Sequence, residues 1–238
     1  MLELKSYLRS LERSRHALTR EDRPKTFALA GREWDLLDGV FAPPFSATTE
    51  VALKILGLVG DGEERFRRQG SFLEVGSGTG VIAVSAALAG CRRVVATDIS
   101  SSAVENTRMN AERHMVADRV RALESDVFSA LDPGERFDTV YWHSNFVLAP
   151  PEYRYMTEHE AAYVDPGYRA HRRYLAEAPL LLAEGGRALL QFSDRGDLDR
   201  LYELAADCGR ELTVLCRYSF LERTEILEHI LLEITVAA

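Results

Sequence analysis

"SFLEVGSGTGVIAVSAALAG", Ser71 to Gly90, is the stretch on which the fold turns. An apolar run ending at Val75 breaks at three alternate glycines, Gly76, Gly78 and Gly80, and resumes as an apolar segment of helical character. Strand, glycine turn, helix is how a parallel α/β sheet begins a crossover. Glycines suit such a turn because the backbone bends sharply there and meets a ligand with no Cβ in the way.

Working outward, the short apolar runs "RVVATDI", "RVRALESDVF", "FDTVYWH" and "RALLQFS" alternate with longer helix-like segments. Strands separated by helices imply parallel pairing, because a tight turn cannot join parallel neighbours. Two later runs, "ELTVLCRY" and "ILEHILLEITVA", are separated by a short charged loop, which permits an antiparallel pair at one edge. The expected fold is a doubly wound α/β domain over residues 69–238, with a mostly parallel seven-stranded Rossmann-like sheet and an antiparallel edge strand.

Residues 1–68 read as an N-terminal helix, a linker hairpin and a flanking helix. Leu4, Leu8, Leu11 and Leu18 fall at helical spacing and predict an amphipathic helix over residues 2–18, ending before Pro24. Its apolar stripe either caps a crevice or forms a homodimer contact. "REWDLLDGVFAPPF" predicts a short strand pair leading into a proline-stiffened loop, and "SATTEVALKILGLV" a helix capped by Ser46 or Thr48.

The chain has 238 residues, 46% of them hydrophobic, enough for one sizeable core. A net charge of −8 disfavours broad nucleic-acid or anionic-membrane binding, so neither partner is expected. No signal-peptide core or run of about 18 apolar residues occurs. Cys91, Cys208 and Cys216 are odd in number and lack zinc spacing, which fits a reduced, cytoplasmic protein. Glu158, His159 and Glu160 match no common metal spacing, so no metal is expected.

Asp98 ends the strand after the glycines, about twenty residues on, where a carboxylate accepts ribose hydroxyls. Asp126 ends the third strand and His143 the fourth. Ligands of open parallel sheets bind beyond the carboxyl ends of the strands, so these residues should line one crevice with Gly76 to Gly80. The dinucleotide fingerprint has glycine at its sixth position, where this chain has Val81, which argues against NAD. The phosphate-cradling G-x-x-x-x-G-K-[ST] pattern is absent.

With Glu74, "GSGTG", Asp98 and Asp126 in place, the chain resembles the class I S-adenosylmethionine-dependent methyltransferases over about residues 70 to 236. The resemblance implies S-adenosyl-L-methionine as cofactor and S-adenosyl-L-homocysteine as product. It implies that Glu74, Gly76, Ser77, Gly78 and Gly80 hold the methionine part, Asp98 the ribose hydroxyls and Asp126 with Val127 the adenine, with Ile99 a further cofactor-binding residue. A closer likeness is to the glutamine N-methyltransferases of peptide-chain release factors, carried by "FALAGREWDLLDGVFAPPFSATTEVAL", "SSSAVENTRMNAE" and "DPGYRAHRRYLAEAPLLLAEGGRALLQF". It breaks where those enzymes carry Asn-Pro-Pro-Tyr, because this chain has His143, Ser144, Asn145 and Phe146.

Methyl transfer is an in-line displacement that needs alignment and a water-poor site. His143 either removes the acceptor's proton or, with Asn145, only orients it. Phe45, Phe146, Tyr153 and Tyr155 are expected to wall the acceptor site, with "LAPPEYRYMTEHEAAYVDPGY" as a lid. The expected function is methylation at nitrogen or oxygen of a small molecule or short peptide. The alternatives are a glutamine-type protein N-methyltransferase and an inactive cofactor-binding module.

Overall fold

The computed structural model describes residues 6–60, 69–222 and 225–237. Leu4, the end of the flanking segment over 61–68, and Arg223 and Thr224 of the charged loop lie outside them. In chain order the elements are α1 (Tyr7–Thr19), β1 (Thr26–Leu29), β2 (Arg32–Asp35), α2 (Thr48–Ile55), β3 (Ser71–Val75), α3 (Val81–Leu88), β4 (Arg93–Asp98), α4 (Ser101–Arg113), β5 (Val120–Glu124) and β6 (Phe137–His143). There follow β7 (Leu148–Ala149), β8 (Asp165–Pro166), α5 (Arg169–Glu177), β9 (Leu182–Ser193), α6 (Leu198–Asp207), β10 (Arg210–Glu222) and β11 (Glu225–Val236).

Seven strands form one sheet in the order β10-β11-β9-β6-β3-β4-β5. Every pair from β9 to β5 is parallel, while β11 runs antiparallel to both β9 and β10. The expected α/β fold is present, with the reversed strand β11 one place in from the edge and β10 outermost. Successive side chains of a strand point to opposite faces, so Phe72 packs with Trp34, Leu53, Ile82 and Tyr141 while Leu73 packs with Val140, Tyr174, Phe192 and Leu201. Burial on both faces is why these strands read as continuous apolar runs.

The linker hairpin comes earlier than expected. Its strands are β1 and β2, joined by Ala30 and Gly31, both at positive φ, as a two-residue hairpin turn requires, so the stretch from Arg32 supplies only the second strand. It docks on α4: Asn110 Oδ1 accepts from Asp35 N at 2.7 Å, and Asn106 Oδ1 from Leu37 N at 2.8 Å. Asn110 Nδ2 also donates to Thr79 O at 2.8 Å, tying the hairpin to the glycine turn.

The buried face of α1 takes only part of the leucine stripe. Leu8 is 58% exposed, whereas Ser10, Leu11, Ser14 and Ala17 are buried. Small side chains let α1 lie close against residues 147–164, where Leu11 meets Val147, Ala149 and Val164. Ser14 Oγ and His159 Nδ1 bond across this contact at 2.8 Å. The face of α1 is thus spent within the chain. No hydroxyl caps α2, because Ser46 Oγ donates instead to Glu222 Oε1 at 2.9 Å and Thr48 begins the helix.

Among the described residues no helix is long and apolar enough to cross a membrane. Cys91, Cys208 and Cys216 form no disulfide.

Candidate active site

The carboxyl ends of β3, β4, β5, β6 and β9 open into one cavity of about 940 Å³, roofed by α1 and by the segment after β6. At β3, Gly76, Gly78 and Gly80 all take positive φ. Gly80 begins α3 so close to α4 that a Cβ would lie 2.8 Å from Thr107 Cα, and a Cβ at Gly76 would lie 3.2 Å from Trp142 Nε1. A Cβ at Gly78 would meet nothing within 4 Å, since this glycine faces the cavity.

Two carboxylates hold the turn. Glu74, only 1% exposed, accepts from Ala83 N at 2.8 Å in the first turn of α3, and burial drives its pKa well above the ordinary range. Asp98 accepts from Gly78 N at 2.8 Å and Ser100 N at 3.0 Å. Burial raises the Asp98 pKa, and the N–H donors of Ser100, Gly78 and Ile99 partly oppose this. Beside it, Ile99 is 47% exposed at the cavity wall, an apolar surface positioned to meet a flat ring.

Asp126 lies two residues beyond the end of β5, and Arg173 Nη1 donates to its Oδ2 at 2.6 Å. Val127 lines the same wall at φ 53, and its carbonyl accepts from Thr97 Oγ1 at 3.0 Å. The expected cofactor residues Glu74, Gly76, Ser77, Gly78, Asp98, Ile99, Asp126 and Val127 therefore border one cavity, with Gly80 just behind them. A bare glycine face, an uncovered Ile99 and acidic strand ends fit an adenosyl cofactor of positive charge.

At the other end of the cavity His143 closes β6, and none of the described groups hydrogen-bonds its ring. Desolvation lowers its pKa to about 4, so the imidazole is neutral at pH 7. His229, behind it at 5.7 Å between ring centroids, is pushed well below the ordinary value by burial, then by His143 and Arg195. Gln191 links His229 Nδ1, at 2.8 Å, to Tyr141 Oη, at 2.6 Å, which fixes the inner imidazole.

Asn145 lines the cavity, but both its N–H bonds are spent: Nδ2 donates to Ala161 O at 2.7 Å and Val164 O at 3.0 Å. Its amide nitrogen ties down the overlying segment, whereas its Oδ1 is buried with no partner among the described residues. Phe45, Phe146 and Tyr155 line the cavity as expected, and Tyr155 Oη is anchored on Val164 O at 3.0 Å. Tyr153 does not. It lies outside, donating to Glu160 Oε2 at 2.8 Å with its ring edge-on to Tyr7. Glu160 also accepts from Met156 N at 2.8 Å, and His159 bonds Ser14, so both are structural ties of the strap.

Arg13, Tyr163, Arg195 and Glu222 also line the acceptor end, and sequence reasoning did not name them for the site, Tyr163 only for the lid. Arg195 had a signal, since it follows the carboxyl end of β9 as His143 does that of β6. Arg13 had none, because a charge on an amphipathic helix reads as a solvated face.

A family model described as ribosomal protein L11 methyltransferase matches residues 46–148. The release factor glutamine methyltransferase of Chlorobaculum tepidum is 30% identical over 166 residues, 64% of this chain and 55% of that protein. Among solved structures, ribosomal protein L11 methylase of Lactobacillus delbrueckii subsp. bulgaricus superimposes with a TM-score of 0.55 at 16% identity, covering 81% of this chain and 79% of that one. The T. thermophilus 16S rRNA N2 G1207 methyltransferase, solved with AdoMet and guanosine, gives 0.52 at 19% identity, covering 90% and 50%. The structural likenesses establish the class I methyltransferase fold, and the relatives include the release-factor kind that the sequence resembled. The chain spans about half the length of the first curated relatives it matches.

Proposed function

We propose that the protein transfers the methyl group of S-adenosyl-L-methionine to a nitrogen or oxygen of a small molecule or short peptide seated over His143. The observation that carries this is a single cavity, of about 940 Å³, that the glycine turn, Asp98 and Ile99 share with His143. Small-molecule sites run to roughly 1,000 Å³, so this one suits two ligands side by side. The cofactor, when bound, supplies a methyl group on an electrophilic sulfonium. Asp98 and the turn it holds orient the adenosyl part, and α1 and the Asn145-anchored strap exclude water from the acceptor.

With a pKa of about 4, His143 is a weak proton sink but a ready hydrogen-bond acceptor at neutral pH. It aligns an acceptor N–H or O–H so that the lone pair meets the methyl group. An acceptor that is already neutral and nucleophilic, such as an amine at a pH above its pKa, suits that role better than an alcohol. The roof over the site favours a small acceptor over a protein glutamine. Cytoplasmic placement fits three free thiols.

Calorimetry with S-adenosyl-L-homocysteine tests the cofactor half: saturable binding is expected, weakened at least about tenfold by Asp98→Asn, since one charge-assisted bond is worth about 1.5–3 kcal/mol. Labelled cofactor with release factors in one arm and a metabolite extract in the other tests the acceptor half. Transfer only to release factors supports the glutamine-type alternative, and binding with no transfer to any acceptor supports the inactive module.

A further inference from the structure

We infer that the acceptor carries a carboxylate, held between Arg13 of α1 and Arg195 at the end of β9. This deepens the methyltransferase reading and rests on it. Both guanidiniums line the cavity, yet they come from opposite ends of the chain. Arg195 is 8% exposed and donates through Nη2 to Glu222 Oε2 at 2.6 Å, while its Nε is buried with no partner among the described residues. Arg13 donates through Nη2 to Ser10 Oγ at 2.5 Å, and no described carboxylate lies within ion-pair distance of it.

The two guanidiniums share this end of the cavity, and the carboxylate bonded to Arg195 is that of Glu222, itself held by Ser46 Oγ at 2.9 Å. Their mutual repulsion is visible on Arg13, whose pKa falls to about 10, first through burial and then through the charge of Arg195, with Glu222, Tyr163 and Glu225 acting in the opposite direction. A buried cation with an unused N–H is costly unless an anion meets it. The unpartnered Nε of Arg195 and the planar guanidinium fork match a carboxylate.

Position points to the acceptor. The sheet order places β6 between β9 and β3, and His143 pairs in register with Gln191 of β9, so Arg195 lies past His143 as seen from the glycine turn. The acids Glu74, Asp98 and Asp126 gather at the cofactor end and the two arginines at the other. An acceptor bound by its carboxylate would present its nucleophile beside His143.

The test titrates benzoate, its neutral counterpart benzamide, and inorganic phosphate into the full chain, with and without S-adenosyl-L-homocysteine. The parent should bind benzoate about tenfold more tightly than either competitor, the effect of one charge-assisted contact. Arg13→Gln should remove most of that preference, and Glu222→Gln should strengthen benzoate binding, a gain that misfolding cannot produce. Homocysteine-product affinity should stay within about twofold in both variants, well under one such contact. Equal benzoate and benzamide binding, a preference for phosphate, or weaker benzoate binding in Glu222→Gln overturns the inference. So does a loss of product affinity in Arg13→Gln that matches the loss of benzoate, since that assigns the arginines to the cofactor's own carboxylate. Failure of the parent to bind the product sinks the methyltransferase reading alone, because the benzoate comparison without it still decides the arginine pair.

Discussion

The two ends of the cavity are built by different means. At the cofactor end, backbone does most of the work: three positive-φ glycines, and the N–H groups of Gly78 and Ser100 gathered on Asp98, all within a thirty-residue span of chain. At the acceptor end, side chains from α1, the loop before α2, β6, the strap and the β9 and β10 termini converge. One end is a local motif and the other is a product of the whole fold. Changes at the first should act on folding or the cofactor, and changes at the second on the acceptor with the cofactor untouched.

The largest effect expected is Gly80→Val. With φ +76 and a Cβ 2.8 Å from the Thr107 backbone, it should cost about 3 kcal/mol or more and lower the denaturation midpoint sharply. Gly78→Ala sharpens the contrast, since nothing lies within 4 Å of the new methyl: only the left-handed strain of about 1 kcal/mol is expected, together with loss of cofactor affinity. Equal destabilisation by the two would erase the distinction drawn between them.

Acid should come next in size. His143 and His159 have folded-state pKa values of about 4, and His229 lies well below its ordinary value, so the unfolded chain binds more protons between about pH 6.5 and 4. The histidines' contribution to stability is therefore full above pH 6.5 and is lost as pH drops through that window, by up to roughly 3 kcal/mol for His143. Urea midpoints across this range should drop less in His143→Gln. The same value predicts no limb near pH 6.5 from His143 in kcat/KM.

Asn145→Ala removes two bonds from the strap and should cost about 2 kcal/mol, raise the acceptor KM and leave product affinity alone. Tyr153→Phe, outside the cavity, should be the mildest: about 1 kcal/mol of stability and no change in turnover. A KM effect there would return Tyr153 to the site.

How much could be read from residues alone follows the same division. "GSGTG", Asp98 and Asp126 were legible because the strand-turn-helix order and the strand-end rule act over short spans. The ties of the Asn145 amide nitrogen were not legible, because its partners, Ala161 and Val164, sit on the segment after β6, whose path no periodicity announces. Tyr153 was misjudged because neighbouring tyrosines of one loop face opposite ways: Tyr155 turns inward and Tyr153 outward onto α1. The leucine stripe of α1 misled for a related reason, since packing selected its small face and left Leu8 in solvent.

The most direct test of the central claim is an amide NMR map of S-adenosyl-L-homocysteine binding to the full chain. Saturable shifts centred on Gly76, Gly78, Ile99, Ser100 and Val127 are predicted, with the far ends of β4 and β5 around Arg93 and Arg121 unmoved. Absence of saturation, or shifts centred away from the glycine turn, would contradict the account.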